Sequence, residues 1–139
     1  MAKATKIKKK SPTNALTKAV IEYLNLTGNY VWRNNTIPVF DPIRKTMRAN
    51  VTKNGIADII GMNSVGTHVE IEIKSKYERL SKEQKSHGLE VLRHDGIYLV
   101  IRNLEELIET WELCKHESIQ KIMFERLSNE KIKTEKVKE

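Results

Sequence analysis

The chain has 139 residues, the length of one ordinary domain, and at 39% apolar it can form a modest core, which excludes a wholly disordered chain. Its 25 Lys and Arg against 18 Asp and Glu leave a net charge of +7, and its single cysteine, Cys114, excludes an internal disulfide and a cysteine-based zinc centre and fits a reducing compartment. Apolar runs such as Gly96–Ile101 are too short to span a bilayer, and Met1–Lys10 has lysines with no apolar segment behind them, so the reading is of a cytoplasmic protein without membrane association.

The charge is unevenly placed: eleven basic and two acidic residues up to Asn54, then fourteen basic and sixteen acidic. Five of the lysines lie in Met1–Lys10, so residues 1–12 read as a basic disordered arm, with a single domain over 13–128 and a charged, fraying tail over 129–139.

In chain order, Thr13 or Asn14 caps a first helix over 14–26, with Leu16, Ala19, Val20, Tyr23 and Leu24 at helical spacing. Asn29–Asn34 reads as a strand. Thr36–Asn54, with Pro38 and Pro42, reads as an irregular basic loop or a loose hairpin. Ile56–Gly61 is a short strand, Asn63–Thr67 a turn, and His68–Ser75 a strand that alternates, with Val69, Ile71 and Ile73 opposite Glu70, Glu72 and Lys74. Ser81-Lys82-Glu83-Gln84 is a capping box opening a helix to about His94. The nearly all-apolar Gly96–Arg102 has the pattern of a buried central strand. Asn103 caps a further helix with Leu104, Leu107, Ile108 and Trp111 on one stripe, and a last helix covers Glu117–Leu127. The order implies an α/β fold, a mixed sheet with helices on its faces.

The chemistry concentrates in Gly55–Lys74. Asp58 lies in an apolar strand, where an ionised carboxylate is costly unless paired or bound to a cation. Glu72 and Lys74 share one face of the next strand, about 7 Å apart along it. A hairpin through Met62–Thr67 would set Asp58 beside Glu72, and a hard divalent cation relieves the repulsion of two such carboxylates. Mg²⁺ or Mn²⁺ held there, with Lys74 beside it, suits phosphodiester hydrolysis. A Glu72–Lys74 pair alone is an ordinary solvated strand face; Asp58 at this spacing is what favours the site.

Gly55-Ile56-Ala57-Asp58-Ile59-Ile60-Gly61, then Val69-Glu70-Ile71-Glu72-Ile73-Lys74-Ser75, then Gln84 and Gly96, resemble the PD-(D/E)XK nuclease superfamily and, within it, the virus-type replication-repair nuclease (VRR-NUC) domain, whose small standalone members are often phage proteins. Ile21-Glu22-Tyr23-Leu24 and Val31-Trp32-Arg33-Asn34-Asn35 extend the likeness to roughly residues 13–110. The resemblance implies a restriction-endonuclease-like αβββαβ core with an extra C-terminal helix. It makes Asp58, Glu72 and the backbone carbonyl of Ile73 ligands of Mg²⁺ or Mn²⁺, Lys74 catalytic and Gln84 supporting. Gln84 lies toward the edge of its helix's apolar stripe and reads equally as a plain capping residue. Ala57 stands where the motif has proline. Thr13 and Asn14 stand where relatives often carry an extra glutamate, so a further carboxylate would come from Glu70 or Glu22.

The implied activity is a DNA endonuclease acting on branched or four-way junction DNA in replication, recombination or repair, working as a homodimer and needing no organic cofactor. Arg33, Asn35, Arg44, Lys45, Arg48 and Lys53 are candidates for backbone phosphate contacts, or else solubilise a loop. His68, His87, His94 and His116 lack metal-ligand spacing and read as surface or cap residues. A DNA-binding accessory protein of the same fold is the first rival. An RNA-binding module ranks last, because most of the eight aromatic residues fall in apparent core stripes.

Overall fold

A computed structural model of the chain describes residues 12–34, 39–48, 53–115 and 119–134. Its elements are α1 (Pro12–Leu26), β1 (Tyr30–Arg33), β2 (Val39–Asp41), β3 (Thr46–Arg48), β4 (Ile59–Met62), β5 (His68–Ile73), α2 (Lys82–Arg93), β6 (Ile97–Ile101), α3 (Leu104–Leu113) and α4 (Ile119–Ser128). The basic N-terminal arm expected over 1–12 lies outside the described residues, apart from Pro12. Among the described residues no helix is long and apolar enough to cross a membrane.

The fold is mixed α/β. Four strands form one mixed sheet in the order β1-β4-β5-β6, with β4 antiparallel to both β1 and β5, and β6 parallel to β5. Helices α1 and α3 pack together on one side, α2 and α4 on the other. The core joins Val20 and Leu24 of α1, Ile59, Val69 and Ile71 of the central strands, Leu99 and Ile101 of β6, and Leu107 and Trp111 of α3.

Helix α1 begins earlier than its apolar stripe suggested. Pro12 occupies the first position, where its fixed φ suits a helix and its missing N–H costs nothing, so Thr13 and Asn14 lie in the first turn rather than at the cap. The segment read as an irregular loop or loose hairpin contains the hairpin β2–β3. The Asp41 carboxylate accepts from the N–H groups of Ile43 and Arg44 at 2.9 and 3.3 Å, which sets the turn.

Strand β6 is an edge strand, not the central one its composition suggested. Its run is apolar because helices cover both of its faces, so both alternating sets of side chains are buried. At the opposite edge the Asn25 carboxamide caps β1 at Val31, accepting from its N–H at 2.9 Å and donating to its carbonyl at 3.0 Å. Gly61 is required where β1 and β4 meet: a Cβ there would stand 2.1 Å from the Tyr30 carbonyl oxygen.

The expectation of a fraying tail fails for residues 129–134. The backbone bridges Leu80 to Ile132, Lys133 donates to the Leu80 carbonyl at 2.8 Å, and Glu130 pairs with Arg102. Buried Leu80 gives the returning chain something to cover, which no local sequence pattern could reveal.

Candidate active site

On β5, three charged side chains are almost wholly buried: Glu70 is 1% exposed, Glu72 3% and Lys74 4%. Alternation of this kind ordinarily marks a solvated face, but here α2 lies over it and each charge must find a partner. Two rungs result. Gln84 of α2 donates to Glu72 Oε1 at 2.9 Å, and His87, one helical turn on, meets Glu70 at 2.8 Å.

Asp58 immediately precedes β4. Because Ile59 pairs with Ile71, Asp58 falls opposite Glu72 at the open end of the ladder. Its Oδ2 accepts a 2.9 Å hydrogen bond from the Ile73 N–H. A strand residue turns its N–H and C=O to the same edge, so the Ile73 carbonyl also faces the Asp58 side. Asn34, following β1, fixes this corner by donating from its N–H to the Asp58 carbonyl at 2.8 Å and from its carboxamide to that of Ala57 at 3.3 Å.

Glu72 Oε1 lies 3.5 Å from Lys74 Nζ, while its Oε2 is buried without a hydrogen-bond donor. Burial first, then the Asp58 carboxylate, push the Glu72 pKa from 4.5 up to about 8 against the pull of Lys74. Lys74 Nζ also lies 3.5 Å from Glu78 Oε2. Burial raises the Glu78 pKa, but the Ser75 N–H, Lys74 and Lys133 outweigh it and hold that carboxyl below its usual range.

These groups open into a cleft of about 530 Å³ lined by Asp58, Glu72, Ile73, Lys74 and Gln84, with Glu78 and Lys133 on one side and Arg33 and Asn34 on another. The N-terminal turn of α1 completes it through Thr13, Asn14 and Thr17. A larger groove of about 730 Å³ runs along β6 between α3 and α4, but Asp58 and Glu72 do not line it, so the smaller cleft is the candidate site. The oxygen donors of Asp58, Glu72 and the Ile73 carbonyl, with Glu72 Oε2 left without a partner, fit a hard divalent cation. Among the described residues no group of three or more His, Cys, Asp or Glu side chains is arranged to hold a metal.

Asp58, Glu72, Ile73, Lys74 and Gln84 are therefore brought together. Neither candidate for a further carboxylate joins them. Glu70 is turned to His68 (2.7 Å), His87 and the Ala57 N–H (3.1 Å), and Glu22 stands exposed on the outside of α1. Of the candidate phosphate contacts, Arg33 lines the cleft, held by Asn14 Oδ1 at 2.6 Å. Arg44 and Lys45 sit exposed on the β2–β3 turn, and they and Lys53 do not line the cleft. The backbone of Arg48 belongs to β3, and Asn35 lies outside the described residues.

His94 caps α2 as read, and His116 lies outside the described residues. His87 is not a surface residue: it is half-buried against Glu70 and the edge of Tyr98. Its signal was present in the sequence, since Gln84 and His87 three apart on a helix oppose Glu72 and Glu70 two apart on a strand. The aromatic residues are less buried than their stripes implied: Tyr30, Trp32, Phe40, Tyr77 and Phe124 are exposed, Tyr23 packs half-buried against the core, and Tyr98 and Trp111 lie within it. Glu78 and Lys133 carried no recognisable signal. The chain matches no protein-family profile and no curated protein sequence.

Proposed function

We propose that the protein is a Mg²⁺- or Mn²⁺-dependent DNA endonuclease of the PD-(D/E)XK type, with a VRR-NUC-like domain in a restriction-endonuclease-like arrangement. The observation that carries this reading is the half-buried Asp58 facing the buried Glu72, with Glu72 Oε2 lacking a donor and Lys74 at 3.5 Å. The order α1, β1, β4, β5, α2, β6 is compatible with the arrangement that the sequence resemblance implies.

Asp58, Glu72 and the Ile73 carbonyl would hold the cation. A bound Mg²⁺ or Mn²⁺ supplies polarisation of the scissile phosphate and a more acidic attacking water. Lys74, fixed between Glu72 and Glu78, holds its ammonium where it meets charge developing on phosphate oxygens. Gln84 orients Glu72, and Arg33 positions backbone phosphate at the β1 side. Selectivity for branched or four-way junction DNA, a role in phage-type replication, recombination or repair, a homodimeric state and a cytoplasmic location belong to the same reading.

The test is cleavage of labelled four-way junction, flap and plain duplex DNA with and without Mn²⁺. Metal-dependent cutting lost in Asp58→Ala and Glu72→Ala supports it; equal activity in wild type and both variants ends it. One observation favours a catalytically weak DNA-binding accessory protein instead: neither Glu22 nor Glu70 completes a third carboxylate. Calorimetry separates the two, because the accessory protein shows no Mn²⁺ binding that depends on Asp58.

A further inference from the structure

After α4 the chain turns and returns to the open end of the sheet. Asn129 and Glu130 donate back to Glu125 and Leu127 at 3.1 Å each, and the backbone then runs beside Leu80, where Lys133 donates to the Leu80 carbonyl at 2.8 Å. Two cations hold this return. Arg102 grips Glu130 with both terminal nitrogens, at 2.9 and 3.1 Å, and also donates to the Glu78 carbonyl at 2.9 Å. Lys85 Nζ donates to the carbonyls of Ser128 and Glu130, both at 2.8 Å. A forked guanidinium on a half-buried carboxylate is a directional anchor, so the segment is placed by specific contacts.

The consequence is chemical. Lys133 reaches the cleft that holds Asp58, Glu72 and Lys74, close enough for its charge to act on Glu78. Lys74 is paired with Glu72 and Glu78, but among the described residues no carboxylate pairs with Lys133 or with Arg33. Arg33 ends β1, at one edge of the sheet, whereas Lys133 lies beyond β5 on the β6 side, next to the segment that Arg102 anchors. Two cations without an ion-paired carboxylate thus flank the site. That placement on two sides of the cleft suits a polyanion with several phosphates, which can meet the carboxylates and both cations at once.

We propose that Lys133 is a phosphate-binding residue of this cleft, holding the DNA backbone on the β6 side of the carboxylate pair. The proposal rests on the nuclease reading for its substrate, and its test does not depend on catalysis. Binding of a short fluorescein-labelled DNA duplex to the full chain is followed by anisotropy over a range of salt, with Ca²⁺ in place of Mn²⁺ to prevent cutting. Lys133→Ala is expected to weaken binding about 3- to 10-fold at low salt and to lower the slope of log affinity against log salt by about one, because one fewer counterion is displaced. Lys133→Arg should restore the slope, which a merely structural role would not require.

Lys133 is exposed, so both variants should melt as the wild type does. An unchanged slope in Lys133→Ala, with wild type still cutting in Mn²⁺, overturns this proposal alone. A reduced slope in a protein that binds but never cuts supports Lys133 and overturns the nuclease reading. A wild type that neither binds nor cuts overturns both.

Discussion

Gln84 donates from Nε2 to Glu72 Oε1 at 2.9 Å while its own Oε1 accepts from the Ser81 N–H at 2.8 Å. One carboxamide thereby closes the capping box of α2 and orients a site carboxylate, so the cap and the site are a single device. Gln84→Ala removes both functions. It should lower stability by about 1 kcal/mol through the lost cap and weaken Mn²⁺ binding about 10-fold through the freed Glu72. Thermal melting and calorimetry read the two losses separately. Ser81→Ala, which removes the hydroxyl that accepts from Gln84 N–H, should reproduce the first loss and little of the second.

Glu72 gives the metal-free protein a pH dependence of definite sign. Its carboxyl titrates near 8 when folded, raised by burial and by Asp58, against 4.5 as the unperturbed value. A raised folded pKa stabilises the fold fully below about 4.5 and loses that contribution as pH climbs through about 8, where folding must bury a charge. With a chelator present, the melting temperature should therefore fall more steeply between pH 5 and 8 in wild type than in Glu72→Gln. Parallel profiles for the two proteins would show that Glu72 is not the group responsible.

The sequence carried the site further than it carried the fold around it. Asp58, Glu72 and Lys74 were legible because a carboxylate in an apolar strand, followed by an alternating Glu-x-Lys strand, is a local pattern that a hairpin brings together. Gln84 was legible as a cap, but its second role needed the crossing of α2 over β5. Glu70 shared the strand face and so passed as a possible ligand; only the positions of His68 and His87 decide where its oxygens point. Strand order failed for β6 because burial on two faces looks the same at an edge as at the centre. Lys133 was invisible for the plainest reason: its place is set by Leu80, Lys85 and Arg102, all distant in the chain.

A divalent cation should act in the opposite sense to the buried charge. Asp58 and Glu72 must both be ionised to share one, so binding competes with protons and strengthens as pH rises toward 8. At about 100 times the dissociation constant, a ligand confined to the folded state adds about 2.7 kcal/mol of stability. Mn²⁺ should thus raise the melting temperature more at pH 8 than at pH 5, and Asp58→Asn and Glu72→Gln should abolish the rise. A shift of equal size in all three proteins would place the bound ion elsewhere.

Lys74 separates catalysis from binding. Its ammonium is 4% exposed and lies 3.5 Å from both Glu72 and Glu78, so once a bound cation keeps Glu72 ionised two carboxylates neutralise it and it has little charge left to attract DNA from a distance. Under the proposed nuclease function its value to the reaction would be placement, a preorganised cation where negative charge grows on the phosphate. Lys74→Met keeps much of the side-chain volume and removes that charge. Single-turnover cleavage in Mn²⁺ should fall about 10²- to 10³-fold, while duplex affinity in Ca²⁺ changes less than about 3-fold. In chelator the variant should also lose stability above about pH 8, where an ionised Glu72 would be buried without its cation, and little below it, where Glu72 is protonated. Adding Glu72→Gln to Lys74→Met should recover much of that stability without recovering cleavage, since the buried charge is gone while the ligand is lost. A Lys74→Met protein that cuts at the wild-type rate would remove Lys74 from the reaction and leave it only the task of neutralising Glu72.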